Sequence, residues 1–202
     1  TALSRAAQNG RTDIVEILLN TPGVTVERPD LVRTPLSSAA ENGNVDIIRL
    51  LVATAAVNLN RQGEKQRTAL FQAVANGKDA AARVLIQMGA NIEIPDLAQN
   101  TPLAFAVQQH NVAMVKLLTE YNANVNAVVA WKRPILYYAC IGLGTICLDI
   151  LLTHGANIES RDKDKCTPLM HAAHAQASDA LLKLLEAGAD IEAQDAKGRT
   201  PL

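Results

Sequence analysis

Two histidines three residues apart, His171 and His174 in "TPLMHAAHAQ", come nearest to a ligand pair in this 202-residue chain. On a helix that spacing puts both imidazoles on one face, the arrangement a metal site uses. A catalytic zinc takes three protein ligands, and no third donor stands at a recognisable spacing. Asp164 and Cys166 are the residues that folding would have to bring close. The expectation is no stoichiometric metal and no cofactor, with the two histidines exposed on a binding face. The cysteines, Cys140, Cys147 and Cys166, are odd in number and contain no Cys-x-x-Cys. That disfavours a disulfide framework and suits a reducing, intracellular compartment, cytoplasmic or nuclear. "GLG" at 142–144 follows a helical stretch instead of a strand, so it reads as a loosened turn and not as a phosphate cradle. No nucleophile elbow or paired-carboxylate signature is present. No residue is assigned a catalytic role, and the expectation is a protein that is not an enzyme.

The elements around these residues recur. "TALSRAAQNG" begins at Thr1, "TPLSSAAENG" at Thr34, "TALFQAVANG" at Thr68, "TPLAFAVQQH" at Thr101, "TPLMHAAHAQ" at Thr167 and a further "TPL" at Thr200, at intervals of 33 or 34 residues with one gap of 66. The missing copy must start at Pro134, so "PIL" replaces "TPL" and the tyrosines of "KRPILYYACIG" fill the variable pair before Ala139-Cys140. In each copy Leu and two small residues lie at i, i+3 and i+4, one face of a helix. Thr-Pro opens the helix, and Asn-Gly closes it at Asn9-Gly10, Asn42-Gly43 and Asn76-Gly77. A second apolar helix follows, as in "VDIIRLLVA", then a turn such as "HGANIESRD". Cys140 takes a position that admits only a small apolar side chain. Cys147 falls among apolar residues of the second helix, in register with Ile14, Ile47 and Met114; only Cys166 is expected to be exposed.

The motif T-P-L-x-x-A-A, with G-A-x-I/V about twenty residues on, resembles the ankyrin repeat, over the whole chain. The resemblance implies an all-α repeat solenoid of stacked helix-turn-helix repeats with β-hairpin-like loops. It also implies a single array over residues 1–202, and the raw ends suggest an excerpt of a longer protein. Where the family often carries His after T-P-L, this chain has Ser4, Ser37, Phe71, Ala104, Tyr137 and Met170, so the hydrogen bonds of that His are absent.

The bulk numbers exclude several functions. Apolar residues make up 49% of the chain and the formal charge is −1, a core-forming sequence with no general attraction for nucleic acid or anionic membrane. No apolar run reaches the length of a membrane span. What remains is a protein-interaction array, a regulatory segment acting in cis within a larger enzyme, channel or nucleotide-driven sensor, or a passive spacer. The partner would be another protein or another domain of the same chain. In the family, the first-helix face opposite the core lines a concave partner-binding surface together with the loop tips. Here that face runs through Arg5, Ser38 and Gln72 and then turns aromatic: Phe105, Tyr138 with Ile141, and His171 with His174, with Trp131 in the loop before Tyr138. These six later residues form the candidate partner site, since exposed clustered aromatics are typical hot spots. A passive spacer would have a featureless row. Since each repeat contacts only its neighbours, amide exchange is expected to be fastest in Thr1–Gly10 and Gly188–Leu202; uniform protection along the chain would contradict free-ended stacking.

Overall fold

The computed structural model describes residues 1–27, 33–54, 57–129, 132–142 and 144–201. Trp131, Leu143 and Leu202 lie outside the described residues. The chain divides into two compact units, Thr1–Ala98 and Gln99–Leu202. The first holds α1 (Ala2–Gln8), α2 (Thr12–Leu19), α3 (Pro35–Asn42), α4 (Val45–Ala53), α5 (Ala69–Ala75) and α6 (Asp79–Gln87). The second holds α7 (Pro102–Gln108), α8 (Val112–Glu120), α9 (Ile135–Ile141), α10 (Ile146–Thr153), α11 (Pro168–His174) and α12 (Ser178–Glu186). Within the first unit α1 packs on α3 and α3 on α5, while α2 packs on α4 and α4 on α6; within the second α7 packs on α9, α9 on α11 and α8 on α10. Each unit is therefore a stack of helix pairs, as the repeat predicts.

Every first helix starts in the same way except one. The side-chain oxygens of Thr1, Thr34, Thr68, Thr101 and Thr167 accept the backbone N–H of Ser4, Ser37, Phe71, Ala104 and Met170 at 3.0–3.4 Å. This satisfies one of the donors that a helix start leaves open. At Ser37 the hydroxyl also accepts the Thr34 N–H, completing a reciprocal cap. The exception is α9, where Pro134 is the N-cap and supplies no side-chain bond. There the chain forms a two-stranded antiparallel pair, β1 (Val128–Val129) and β2 (Arg133–Pro134). The Ile135 N–H, a donor that the proline of other copies lacks, bonds to the Ala127 carbonyl at 3.1 Å. Pro134 thus stands at the N-cap, the position that threonine takes in the other copies.

The connecting turns share a second device. Asn58, Asn91, Asn124, Asn157 and Asp190 each accept, through the side chain, the N–H two residues on at 2.9 Å. Four of them also donate their own N–H to a side chain 31 residues earlier: Asn58 to Glu27, Asn91 to Asn60, Asn157 to Asn126 and Asp190 to Glu159. All five turns are thus pinned internally, and four of them also to the turn of the repeat before.

The first helices bury Leu3, Ala6 and Ala7; Leu36, Ala39 and Ala40; Leu70, Ala73 and Val74; and, in the second unit, Leu103, Ala106 and Val107; Leu136, Ala139 and Cys140; Leu169 and Ala172. Cys147, Ile47 and Met114 are buried as their shared register implies. Ile14 departs from them and is exposed.

Between paired helices the backbone turns left-handed: Gly10, Gly43 and Gly77 have φ of 70°, 78° and 63°. His110 and Gln176 hold the same conformation at φ 52° and 55° without being glycine. For an L-residue the left-handed form costs roughly 1–2 kcal/mol. His110 also packs across to the start of the next inter-helix turn, where its imidazole fills the space beside Gly142. A Cβ placed at 142 would lie 1.7 Å from the ring.

Two stability changes follow. Gln176→Gly should raise stability by about 0.5–1 kcal/mol, the relieved strain less the entropy a glycine adds to the unfolded chain, seen as a higher urea midpoint at unchanged slope. Thr68→Ala should lower it by about 1 kcal/mol through the lost cap. A lower midpoint for the glycine variant would contradict the strain argument.

Candidate functional site

The face of α9 opposite its core is where the aromatic residues gather. Leu136, Ala139 and Cys140 point inward and are closed off, so Tyr138 is left half-buried and Ile141 is 40% exposed. One helix before, Phe105 on α7 is half-buried; one helix after, His171 on α11 is half-buried and His174 exposed. All five lie in the second unit. Trp131, assigned to the same hollow, is outside the described residues.

The organising residue of this surface is Tyr137. Its ring meets Tyr138 edge-on with centroids 4.9 Å apart and His171 edge-on at 4.5 Å. The Arg133 guanidinium sits 4.7 Å from the same ring centre. Edge-to-face pairs and a cation over a ring each add attraction beyond area burial. The contact with His171 bridges α9 and α11, so Tyr137 packs the groove between neighbouring repeats. By sequence Tyr137 sits nearer the helix flank, the place from which a ring can fill a groove between repeats, and it is not among the candidate partner residues. The available signal was its position after "PIL", where a large ring points toward the next repeat.

His171 departs from the expectation of two exposed imidazoles. Besides meeting Tyr137, its Nε2 lies 2.9 Å from Asp162 Oδ2. Burial pulls its pKa below the ordinary 6.5, outweighing the opposite pull of the Asp162 charge and hydrogen bond. Asp162 is itself fixed, its Oδ1 accepting the N–H groups of Asp164 and Cys166, both at 2.9 Å. Cys166 is half-buried, less open than the sequence implied. A carboxylate oxygen of Asp162, the Cys166 sulfur and a ring nitrogen of His171 all lie within 4.8 Å of one another. Beside them opens a pocket of about 400 Å³ lined by Cys166, Met170, His171, His174, Asp195 and Arg199, among others. Of the two neighbours suggested by sequence, Cys166 comes into the group and Asp164 does not; Asp162 was missed because its spacing to His171 matches no ligand pattern.

The first half of the row contains one correction. Ser38, expected to face solvent, is 3% exposed, and its hydroxyl donates to the Thr34 carbonyl one turn back at 3.0 Å. A short side chain that bonds to its own helix stays close to the backbone and presents no surface. Arg5 is exposed and Gln72 half-buried. Of the remaining cysteines, Cys140 is buried with its thiol pushed up to about 12, and Cys147 is raised by burial. Neither is poised for thiolate chemistry.

The family model described as ankyrin repeats (three copies) matches residues 1–62, 55–129 and 103–195. Among curated proteins no match reaches significance. Similar solved structures include the ankyrin repeat domain of Bcl-3, a member of the IkappaB protein family, at 26% identity and TM-score 0.92, covering 100% of this chain and 92% of that one. A chain in the structure of the predatory endopeptidase Bd0816 from Bdellovibrio bacteriovorus in complex with immunity protein Bd3460 is 26% identical, TM-score 0.80, over 92% of this chain and 97% of its own. An ankyrin repeat domain from Acinetobacter baumannii AYE is 26% identical, TM-score 0.84, over 93% and 98%.

The geometry around Tyr137 predicts a titration. His171 should titrate below 6.5 by NMR. Because the folded chain binds that proton more weakly than the unfolded chain, the contribution of His171 to stability is present above pH 6.5 and is lost as pH falls through its own lower value. Tyr137→Ala should lower stability by about 2 kcal/mol, scaled from the 3–5 typical of a fully buried ring. It should also remove the ring-current shift of the His171 signals. An unshifted His171 in the parent chain would refute the contact.

Proposed function

The chain belongs to the ankyrin-repeat family, and from that premise we propose that it is a non-enzymatic binding module whose second unit takes a partner polypeptide on the first-helix face. Ankyrin repeats are in general protein–protein interaction modules, and the fold is typically non-enzymatic. Among the described residues no helix is long and apolar enough to cross a membrane. The proposed contact residues are Phe105, Tyr138, Ile141, His171 and His174, with Trp131 in the loop that enters α9. The partner is another protein or another domain of the same parent chain, in an intracellular compartment, and residues 1–202 act as one array.

The observation that carries this reading is Ile141. A large aliphatic side chain stands 40% exposed three residues after Tyr138, on a helix whose other face is filled. Single exposed apolar residues are ordinary, whereas an aliphatic one continuous with aromatic and cationic side chains has the composition of an interface core. Tyr137 and Arg133 support that surface by holding Tyr138 and His171 in place. Rigid aromatic anchors lose little entropy on binding, which favours affinity.

The test is site-specific photocrosslinking in the full-length protein. Benzoylphenylalanine at position 138 should capture one discrete polypeptide, or another segment of its own chain, on irradiation; at position 72, in the same helical register of the first unit, it should not. Against the captured partner Tyr138→Ala should weaken affinity some thirtyfold, the equivalent of about 2 kcal/mol at a central hot spot. Its thermal transition should drop less than that of Tyr137→Ala. Equal capture at 138 and 72, or unchanged affinity in Tyr138→Ala, would remove this face from the function.

A further inference from the structure

The geometry points to a metal site: Asp162, Cys166 and His171 bind one divalent transition-metal ion, with zinc the best match. Sequence spacing argued against any metal because His171 and His174 lacked a third ligand. Folding supplies different companions. The loop before α11 brings a carboxylate and a thiol to His171, and the three donor atoms lie within 4.8 Å of one another.

Sulfur, nitrogen and oxygen together form a donor set that zinc accepts, at bonds of about 2.0–2.3 Å. A tetrahedral ion with such bonds holds its ligand atoms about 3.3–3.8 Å apart. The Asp162–His171 pair at 2.9 Å must open by under about 1 Å, and the sulfur must swing in by a similar amount, within side-chain rotation. Asp162 is already oriented, because two backbone N–H groups hold its other oxygen. Outer-shell bonds of this kind aim a ligand at its metal. Burial is the first cause that resists ionisation of Cys166, and the carboxylates of Asp162, Asp195 and Asp164 act in the same sense. Arg199 opposes them but is engaged by Asp195 at 2.7 Å. With Asp195 and Arg199 offsetting each other, Asp162 and Asp164 leave negative charge beside the sulfur, which favours a cation. On binding, the Cys166 thiol releases its proton to solvent and the thiolate joins the ion, while His171 binds as neutral imidazole. The fourth position faces the adjoining pocket, where water completes the shell.

The test uses the reduced, metal-stripped chain titrated with Co²⁺ and then Zn²⁺. One equivalent of Co²⁺ should bind with a thiolate-to-metal charge-transfer band and tetrahedral d–d bands, and one equivalent of Zn²⁺ should displace it. Cys166→Ser should abolish the charge-transfer band and weaken Zn²⁺ binding at least tenfold, the smaller of the losses typical even for an outer-shell partner. His171→Gln should weaken it similarly, with helical circular dichroism unchanged in both variants. His174→Ala should shift Zn²⁺ affinity less than threefold. The site is refuted if reduced protein takes up neither ion saturably, or if cobalt binds without the thiolate band. It is also refuted if binding survives Cys166→Ser but is lost in His174→Ala, which would assign the ion to the histidine pair.

Discussion

Close approach of the first helices is the constraint on which the stacks depend. It is set by two adjacent small side chains in each copy: Ala6 and Ala7, Ala39 and Ala40, Ala73 and Val74, Ala106 and Val107, Ala139 and Cys140, and Ala172 and Ala173. A leucine three residues earlier fills the remaining depth. Interiors packed to crystal density leave no room for another methylene at such positions without moving backbone. The same constraint explains the chemistry of Cys140. It is tolerated because sulfur is small and apolar, and the burial that makes it fit also keeps its thiol protonated. The second helices are freer to vary, which is why Ile14 can lie exposed where Ile47 and Met114 are buried.

Side-chain hydrogen bonds complete what packing begins. The capping threonines anchor each first helix, and the Asn or Asp at the start of each turn anchors both its own loop and, in four cases, the loop behind it. In the Thr34 copy the Ser37 hydroxyl adds a reciprocal bond from the threonine N–H. In the Pro134 copy no cap exists, and a short antiparallel pair anchors the helix start instead. That copy also carries Tyr137, whose bridge to α11 adds a contact between repeats where the cap is missing.

Much of this was legible in the sequence. The 33-residue interval located the Pro134 copy, and the Leu-x-x-small-small pattern identified the buried face down to Cys140. The pattern reports which face a residue occupies, but not whether its side chain reaches solvent. Ser38 lies on the expected face and still folds back onto Thr34. The flank position of Tyr137 suits a groove between repeats, but helical period does not say which neighbouring side chain its ring meets. The approach of Asp162 to His171 was illegible for a similar reason. It depends on a loop whose path is set by backbone bonds to Asp162 itself, and no linear spacing encodes it. Nor does composition disclose that His110 and Gln176 take a left-handed backbone, since three other copies put glycine there.

The imidazole of His110 lying in the space beside Gly142 has an evolutionary consequence. Tandem arrays change length by duplication and unequal recombination, which treat units as interchangeable parts. Here two successive units are matched to each other: one projects a ring, and the next has no side chain at the point of contact. With the backbone as it stands, a side chain placed at 142 would meet that ring and oblige it to move, whereas the other copies carry Asn9, Asn42, Asn76, Gln109 and Ala175 at this position. Substitution at 142 is therefore coupled to the side chain at 110, a dependence between two units that a strictly modular chain would not have.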